Sequence, residues 1–351
     1  MVDVSTPPTR TTPPAALVID GRYQFGTYNG PIPTINPLDA ATRWPAVTRP
    51  LRNLGLKEWE AFQLGDETWF VLGAVYNAKA VGLLQIIAVH KESGELTRWE
   101  TKLLSSRLHV ARGLHSSRSH GEHRGFSISI TNRLADGIVS VDAAHPGRSG
   151  LAPLALHGTG HCGPDEAGHL VICHPFTDTR ALYSHKAMMP FAGSLAIGDA
   201  QTPLDGDRSF LILDDHHGDY PRPMRYDWVT AARRRADGEV EGFNLTANQV
   251  RDPDIYNENA LWIGSRVFRL PPVAFERPSG PWGPWHVRDA TGAVDVTFTP
   301  TVRSTFHLGP KRSLAEYYAP YGWFEGTIHT EAGATSVAGQ FGVGEQKRIR
   351  I

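Results

Sequence analysis

The chain has 351 residues, of which 40% are hydrophobic and 20% charged, with a formal net charge of −1. This length exceeds the usual size of one hydrophobic core, so two domains are expected. The near-zero charge gives no basic footprint for nucleic acid or for an anionic membrane surface. No apolar run is long enough to span a bilayer, and the first residues lack the layout of a secretory signal. With two cysteines in all, no disulfide framework is expected, and we predict a cytoplasmic protein with reduced thiols.

The chain begins with a Pro- and Thr-rich stretch, which predicts a disordered tail over residues 1–14. After the tail, short runs of alternating or apolar residues recur, and turn residues such as ADG and DATGA separate them. Hairpin turns between such runs predict antiparallel sheets, and many short strands predict a sandwich or a barrel. The runs lie at 68–78, 82–91, 124–133, 137–143, 169–176, 209–215, 241–248, 260–270, 293–300, 324–330 and 335–343.

Helical signals are weak in this sequence. Residues 313–322 are a candidate for two or three helical turns before Pro320 and Gly322, and residues 38–44 are a weaker candidate. A new series of strands starts after HPFTDTR, near residue 180. We therefore predict a mainly β protein with few short helices, with one β domain over residues 15–180 and a second over residues 181–351.

The densest polar stretch of the second half directly follows an apolar strand, in LILDDHHGDYPRPMRYDW (211–228). A strand needs an apolar pattern and a turn needs one or two polar residues, so this density indicates a site; a solvated turn is the alternative. Crowded carboxylates cannot all ionise freely, so one of them is expected to have a raised pKa and to donate a proton near neutrality. The polar residues are Asp214, Asp215, His216, His217, Asp219 and Tyr220.

Amides and one glutamate form a second cluster in FNLTANQVRDPDIYNENALW. Such groups hydrogen-bond a ligand or orient a catalytic acid, although asparagine also suits tight turns. The glutamate precedes a strand that is expected to face a core, which favours a functional role. The cluster consists of Asn244, Asn248, Asn257, Glu258 and Asn259.

Histidines and cysteines gather in HGTGHC (157–162) and HLVICH (169–174). If the PDEAG turn between them closes a hairpin, the two segments face each other, and zinc takes such ligands. The spacing matches no familiar zinc motif, however, and strand alternation sends Cys173 and His174 to opposite faces. We therefore predict no metal, while the sequence leaves a metal site on this hairpin open.

Motifs for common cofactors and nucleophiles are missing. There is no GxSxG elbow, no phosphate-binding loop and no dinucleotide fingerprint, so we expect no cofactor. The sequence contains nine tryptophans, several of them in the C-terminal half. Most are expected to pack in a core, and a subset lining a cavity would suit an apolar or cationic species.

Several segments occur in a characteristic order: KEWEAFQ (57–63), YSHKAMMPFAG (183–193), LDDHHGDYP…YDW (213–228), GFNL, ENALWIGS, PWHVRDATGAVDVTFTP (284–300) and GWFEGTIHTEAGATSVAGQFGVGEQ (322–346). Their order resembles one bacterial family, domain of unknown function 2804. More distantly, Tyr183-Ser184, the Leu-Asp…Gly-Asp stretch and Asp-Trp are similar to the carotenoid 1,2-hydratase superfamily, which includes lipocalin-like cyclases. The resemblance implies two lipocalin-like halves, a ligand cavity between or within them, and a hydrophobic, often isoprenoid, substrate.

The leading hypothesis is therefore a hydro-lyase or cyclase that acts on a hydrophobic alkene without a cofactor. The resemblance places the acid of the hydratases in the Leu-Asp…Gly-Asp stretch, so Asp214 is expected to protonate the double bond in a dry pocket. Asp219, His217 or Glu258 is expected to position water or to take a proton. The expected substrate-binding residues are Tyr183, Lys186, Tyr220, Trp228, Asn244, Asn257 and Trp262.

Two other functions use the same residues. A lipocalin-type carrier needs the same cavity without chemistry, and a glycosidase would use Asp214 and Glu258 as paired carboxylates. What separates these hypotheses is whether carboxyl groups or a carboxyl–histidine pair point into the cavity, and whether its walls are apolar. The predicted partner is a hydrophobic small molecule. The sequence leaves its identity, the reaction direction and the oligomeric state open.

Overall fold

The computed structural model describes residues 10–350 apart from 43, 149, 163–167 and 309. In this part of the chain the alternating runs form strands, and every strand pair is antiparallel. The protein is mostly β, which confirms the predicted fold class. A small hairpin near the start consists of β1 (Val18–Ile19) and β2 (Arg22–Tyr23).

Fourteen described strands form the first sheet. The main path runs β7-β6-β5-β4-β16-β14-β12-β11-β10-β9-β8, and β3, β13 and β15 attach to it at β14 and β13. Leu84 of β6 packs in one core with Ile128 of β10 and Leu156 of β12, so the sheet curls around its own interior. Its strands are β3 (Gly26–Tyr28), β4 (Lys57–Gly65), β5 (Trp69–Asn77), β6 (Val81–His90), β7 (Leu96–Leu104), β8 (Leu108–His109), β9 (Ser117–His123), β10 (Phe126–Arg133), β11 (Ile138–His145), β12 (Leu154–His161), β13 (Leu170–Thr177), β14 (Arg180–Ile197), β15 (Ala200–Leu204) and β16 (Phe210–Gly218).

The remaining twelve described strands form the second sheet. Its path runs β20-β19-β18-β17-β28-β26-β23-β22-β21, with β24, β25 and β27 attached. Leu261 of β19 and Val287 of β22 share one core, so this sheet also curls. Its strands are β17 (Met224–Arg234), β18 (Val240–Ala247), β19 (Ala260–Ile263), β20 (Arg266–Arg269), β21 (Val273–Glu276), β22 (Trp285–Asp289), β23 (Val294–Val302), β24 (Thr305–Leu308), β25 (Ala315–Tyr318), β26 (Tyr321–Thr330), β27 (Gly333–Ser336) and β28 (Gln340–Ile349).

A separate apolar core joins the two sheets. It combines Leu72, Ile87 and Ile212 of the first sheet with Trp228 and Tyr321 of the second. Strands such as β16 are buried on both faces, since one face meets the interior of the first sheet and the other meets the second sheet. A polar residue on these strands is therefore forced into one of two buried environments.

Helices are few in the described part of the chain. One α-helix, α1 (Pro45–Gly55), precedes β4, and short 3₁₀ turns lie at Pro37–Asp39, Ser105–Arg107, Leu134–Asp136 and Pro310–Arg312. None of the described helices is long and apolar enough to cross a membrane. The helix predicted over 313–322 is wrong, because Ala315–Tyr318 forms β25 and pairs with β28. Pairing with an available strand outweighs the weak local helix preference.

Both predicted boundaries lie at strands of the first sheet. Residues 1–9 of the predicted tail lie outside the described residues, but Arg10 donates a hydrogen bond to the His169 carbonyl (2.6 Å) and Thr11 bridges to Tyr28. The predicted division at 180/181 falls at the start of β14, which pairs within the first sheet. The chain passes from the first sheet to the second between Gly218 and Met224.

Candidate functional site

A cavity of about 400 Å³ lies between the two sheets. This volume falls within the range of small-molecule sites. Strand alternation selects its lining: Asp214 and His216 of β16 face it, as do Glu345 and Lys347 of β28. Most of the remaining wall is aromatic or aliphatic, with Trp59, Ala61, Leu72, Ala74, Tyr76, Leu83, Ile87, Tyr226, Trp228, Phe306, Tyr317, Tyr321 and Ile349.

A buried lysine and two carboxyl groups form the first polar cluster of this cavity. Lys186 and Asp214 are paired neighbours on β14 and β16, and the Lys186 Nζ donates a 2.6 Å hydrogen bond to Asp214 Oδ1. The same Nζ lies 3.8 Å from Glu258 Oε2. Burial opposes the charged form of Lys186, but the two carboxyl groups outweigh it and raise its pKa. Lys186 is therefore held as an ammonium between them.

Of the carboxyl groups that line the cavity, Glu258 is the one best placed to hold a proton. Its Oε1 accepts a 3.3 Å hydrogen bond from Asn248, and its buried Oε2 has no hydrogen-bond partner among the described residues. Burial, reinforced by Asp214, raises the pKa of Glu258 despite the opposing charge of Lys186. Asn244 fixes the surrounding backbone, since its Nδ2 donates to the Glu258 carbonyl (2.7 Å) and its Oδ1 accepts from the Trp228 indole (2.6 Å).

A histidine–tyrosine pair lies beside these carboxyl groups. The His216 ring stacks on Trp59 with centroids 3.9 Å apart, and its Nε2 hydrogen-bonds the Tyr220 hydroxyl. Burial, and then the positive charge of Lys186, lowers the pKa of His216 well below its usual value. Burial and the nearby Glu258 raise the pKa of Tyr220. The pair is therefore neutral, with an imidazole able to accept a proton through the tyrosine.

A second polar cluster on the opposite wall was not predicted. Glu345 accepts hydrogen bonds from the hydroxyl groups of Tyr226 and Tyr317, and Lys347 donates to the Tyr226 oxygen (2.9 Å). The sequence does carry a signal for it. Glu345 and Lys347 stand two residues apart in a strand, so they share a face, and two charges in that pattern point to a buried polar site.

Of the four residues predicted to be catalytic, two lie elsewhere. Asp219 does not line the cavity: it is 4% exposed and lies within 3.4 Å of Arg52 Nε and 3.1 Å of Arg180 Nε. His217 points from β16 into the interior of the first sheet, where it lies 3.4 Å from Asp215 and 3.5 Å from Glu58. Alternation sends Asp214 and His216 to one face and Asp215 and His217 to the other. From these positions, Asp219 and His217 do not reach a substrate in this cavity.

The predicted substrate-binding residues divide in the same way. Lys186, Tyr220 and Trp228 line the cavity. Tyr183 packs beside His217 on the far face, and Asn244 acts through Trp228 and the Glu258 backbone. Asn257 and Trp262 hold neighbouring segments in place. Asn257 Oδ1 accepts a hydrogen bond from the Asn259 backbone N–H, and the Trp262 indole donates one to the Gly168 carbonyl.

The Asp219 ion pairs predict a structural effect. We expect Asp219→Asn to lower the free energy of unfolding by about 2–4 kcal/mol, because Arg52 would keep a buried charge without its carboxylate. Asp39→Asn is a matched control, since its partner Arg49 lies on the same helix as Arg52 and the Arg49–Asp39 pair is half exposed, so it is expected to contribute less than about 0.5 kcal/mol. Urea unfolding of both variants measures the difference. Equal effects of the two substitutions would contradict a structural role for Asp219.

The histidine–cysteine segments do not form the predicted hairpin. β12 and β13 both pair with β14, at its two ends, and not with each other. His157 is exposed and hydrogen-bonds Asp142, whereas His174 is buried against Thr27. No group of three or more His, Cys, Asp or Glu side chains in the described residues is arranged to hold a metal ion. The turn between the segments, 163–167, lies outside the described residues.

A cluster of titratable groups lies behind the cavity, inside the first sheet. Burial, reinforced by Asp215, raises the pKa of Glu60 to about 8. Burial opposes the charge of His217, but Asp215 and Glu58 raise its pKa to about 9. The folded state therefore retains protons on these groups that the unfolded chain releases as the pH rises.

This cluster predicts how stability depends on pH. Glu60 and His217 both bind protons more tightly when folded, so their stabilisation is lost as pH rises through the folded pKa values of about 8 and about 9. We expect the free energy of unfolding to fall by about 2 kcal/mol or more between about pH 6.5, the ordinary histidine pKa, and about pH 9. Glu60→Gln is expected to flatten the fall, and urea unfolding at a series of pH values measures both. A stability that rises over the same range would contradict the assignment.

Comparison with known proteins adds the family and the fold. The sequence matches the family described as domain of unknown function (DUF2804) over residues 9–351. No curated protein matches the chain. Among solved structures, CghA with Sch210972 has a TM-score of 0.50 at 12% identity, covering 84% of this chain and 88% of that chain. Kievitone hydratase from Nectria haematococca has a TM-score of 0.44 at 13% identity, covering 83% of this chain and 88% of that chain.

At 12% identity, the CghA match shows a shared fold and nothing finer. The family match is stronger evidence, because it spans nearly the whole chain and includes every segment on which the sequence resemblance rested. The cavity, the buried carboxyl groups and both sheets lie within the matched residues. The chain therefore belongs to the DUF2804 family.

Proposed function

We propose that this protein hydrates, dehydrates or cyclises a hydrophobic alkene without a cofactor, isoprenoids being the class that the sequence resemblance implies. One observation carries the proposal: Glu258, a buried carboxyl group with a raised pKa and one oxygen that forms no hydrogen bond with the described residues, stands in the wall of an aromatic cavity. A carboxylic acid kept protonated by burial is a proton donor near neutrality.

In the hydration direction, Glu258 transfers its proton to one carbon of the double bond and becomes a carboxylate. Lys186 Nζ, 3.8 Å from Glu258 Oε2, stabilises that carboxylate as it forms. The cationic carbon that remains is stabilised by the electron-rich aromatic side chains of the cavity wall. Water adds to this carbon and releases a proton to the His216–Tyr220 pair, from which Glu258 is reprotonated through solvent. In a cyclisation, a second double bond of the substrate attacks in place of water, and the cation that this leaves on the new ring loses a proton to the His216–Tyr220 pair to form a double bond.

This assignment moves the acid from Asp214, where the sequence placed it, to Glu258. Asp214 lies in a buried ion pair with Lys186, which occupies it as a hydrogen-bond acceptor. Its proposed part is to hold Lys186 in position beside Glu258. Asp214 and Glu258 lie in one cluster. Both therefore take part in the proposed chemistry, Glu258 as the acid and Asp214 as the residue that positions Lys186.

The alternative functions have less support. A glycosidase needs two carboxyl groups that flank a sugar, but here Lys186 contacts both and the surrounding wall is largely aromatic and aliphatic. A carrier needs the cavity but gains nothing from a buried carboxyl group of which one oxygen forms no hydrogen bond with the described residues, since such a group costs free energy. Catalysis is the simpler explanation for retaining it.

The test begins with native mass spectrometry of the purified protein and identification of any bound molecule. That molecule and a panel of isoprenoid alkenes and alcohols are then incubated with the protein in isotopically heavy water. We expect a product that carries heavy oxygen or solvent deuterium on carbon, and none from Glu258→Gln. Ligands that bind the wild type and stay unlabelled would favour the carrier instead.

A further inference from the structure

Lys347 lies in a ring of aromatic side chains on the wall opposite Glu258. It stands on β28 between β17 and β25, where its register neighbours are Tyr226 and Tyr317. Its Nζ lies 5.1 Å and 4.7 Å from the centroids of those rings, and 5.6 Å from the ring of Trp59 on the first sheet. An ammonium in such a ring is held by cation–π attraction from three sides.

The hydrogen-bonding capacity of this ammonium is largely unused. A lysine has three N–H donors, and the described residues take one of them, the 2.9 Å bond to Tyr226. Lys186 contrasts with it, since two carboxyl groups lie within 4.0 Å of its Nζ. Among the described residues no carboxylate lies that close to the Lys347 Nζ, and both oxygens of Glu345 instead accept hydrogen bonds from tyrosine hydroxyls.

An ammonium without a counter-ion is costly at a cavity wall. Burial lowers the pKa of Lys347, although Glu345 and Asp214 act in the opposite direction. A ligand oxygen that carries negative charge would accept the remaining donors and offset this cost. The fixed chain from Lys347 through Tyr226 to Glu345 holds the ammonium in place before a ligand arrives.

We propose that Lys347 binds an anionic oxygen of the substrate, so that the substrate combines a hydrophobic alkene chain with an acidic head group such as a carboxylate or an enolate. The alkene part of this inference rests on the proposed function, which it deepens. The head-group part rests on the contacts of Lys347. Trp59 separates the two ends, since one Trp59 ring contacts both Lys347 and His216. A head group at Lys347 therefore directs the chain past Trp59 towards the Glu258 cluster.

The test compares two probes that share one chain, farnesoic acid and farnesol, by isothermal titration calorimetry. We expect the wild type to bind the acid about tenfold or more tightly than the alcohol. Lys347→Met is expected to remove that preference while changing farnesol affinity by less than about twofold, and Lys347→Arg to keep part of it. Lys102→Met is the control, since Lys102 also lines the cavity but is exposed and lies over Phe306.

The outcomes separate this inference from the proposed function. Equal affinities of wild type for acid and alcohol would overturn the head-group site, and so would a preference that survives in Lys347→Met or disappears in Lys102→Met. These measurements need no turnover, so a clear preference for the acid supports the site even if no alkene reacts. Turnover of alkenes without any such preference would leave the proposed function standing and remove the head group.

Discussion

Replacing Glu258 by glutamine is expected to lower turnover of the alkene by about 10²–10⁴-fold, the usual contribution of a general acid. Glutamine keeps the shape of the side chain and an oxygen that can accept the Asn248 hydrogen bond, but it has no proton of comparable acidity to give. Ligand affinity is expected to change by less than about twofold, because the substrate contacts mainly the aromatic walls. Single-turnover kinetics and equilibrium binding measure the two effects separately.

Glu100→Gln is a matched control for this substitution. Glu100 lines the same cavity but is exposed, and it accepts a hydrogen bond from Gln85. It is expected to keep wild-type turnover. The pH profile adds a second reading: the protonated form of Glu258 is the active one, so turnover is expected to fall as pH rises through its raised pKa. Full activity of Glu258→Gln, or an equal loss in Glu100→Gln, would remove Glu258 from the acid role.

Lys186→Met is expected to lower the free energy of unfolding by about 3–5 kcal/mol, the largest stability effect we predict at this site. Lys186 is 4% exposed and Asp214 6%, so the substitution would leave a buried carboxylate without its counter-ion. The double variant Lys186→Met/Asp214→Leu removes both charges and is expected to recover most of the loss. Urea unfolding measures both variants. A loss below about 1 kcal/mol in Lys186→Met would contradict the buried ion pair.

The strands and part of the site could be predicted from the sequence because both depend on local pattern. Alternation alone establishes that Asp214 and His216 share one face and that Asp215 and His217 share the other. It does not say which face meets a cavity, because β16 is buried on both sides. Glu258 could be recognised because a charged residue directly before an apolar strand needs a reason to be there.

The rest depends on contacts between distant parts of the chain. Lys347 and Glu345 belong to the site because β28 lies opposite the first sheet, and no local pattern encodes which sheet faces which. The predicted hairpin of β12 and β13 failed for the same kind of reason. β14 is eighteen residues long, and β13 pairs with its first part while β12 pairs with its last part. β12 and β13 therefore pair with a third strand and not with each other.

Infrared difference spectroscopy tests, without a substrate, whether Glu258 holds a proton in the cavity between the sheets. Spectra of the wild type and of Glu258→Gln are compared at a pH above the ordinary glutamate pKa of about 4.3, with Glu100→Gln as the control. We predict that Glu258→Gln removes a carbonyl band of a protonated carboxylic acid that shifts in heavy water, whereas Glu100→Gln removes carboxylate bands. If Glu258→Gln removes only carboxylate bands, Glu258 is ionised and the proposed acid is wrong.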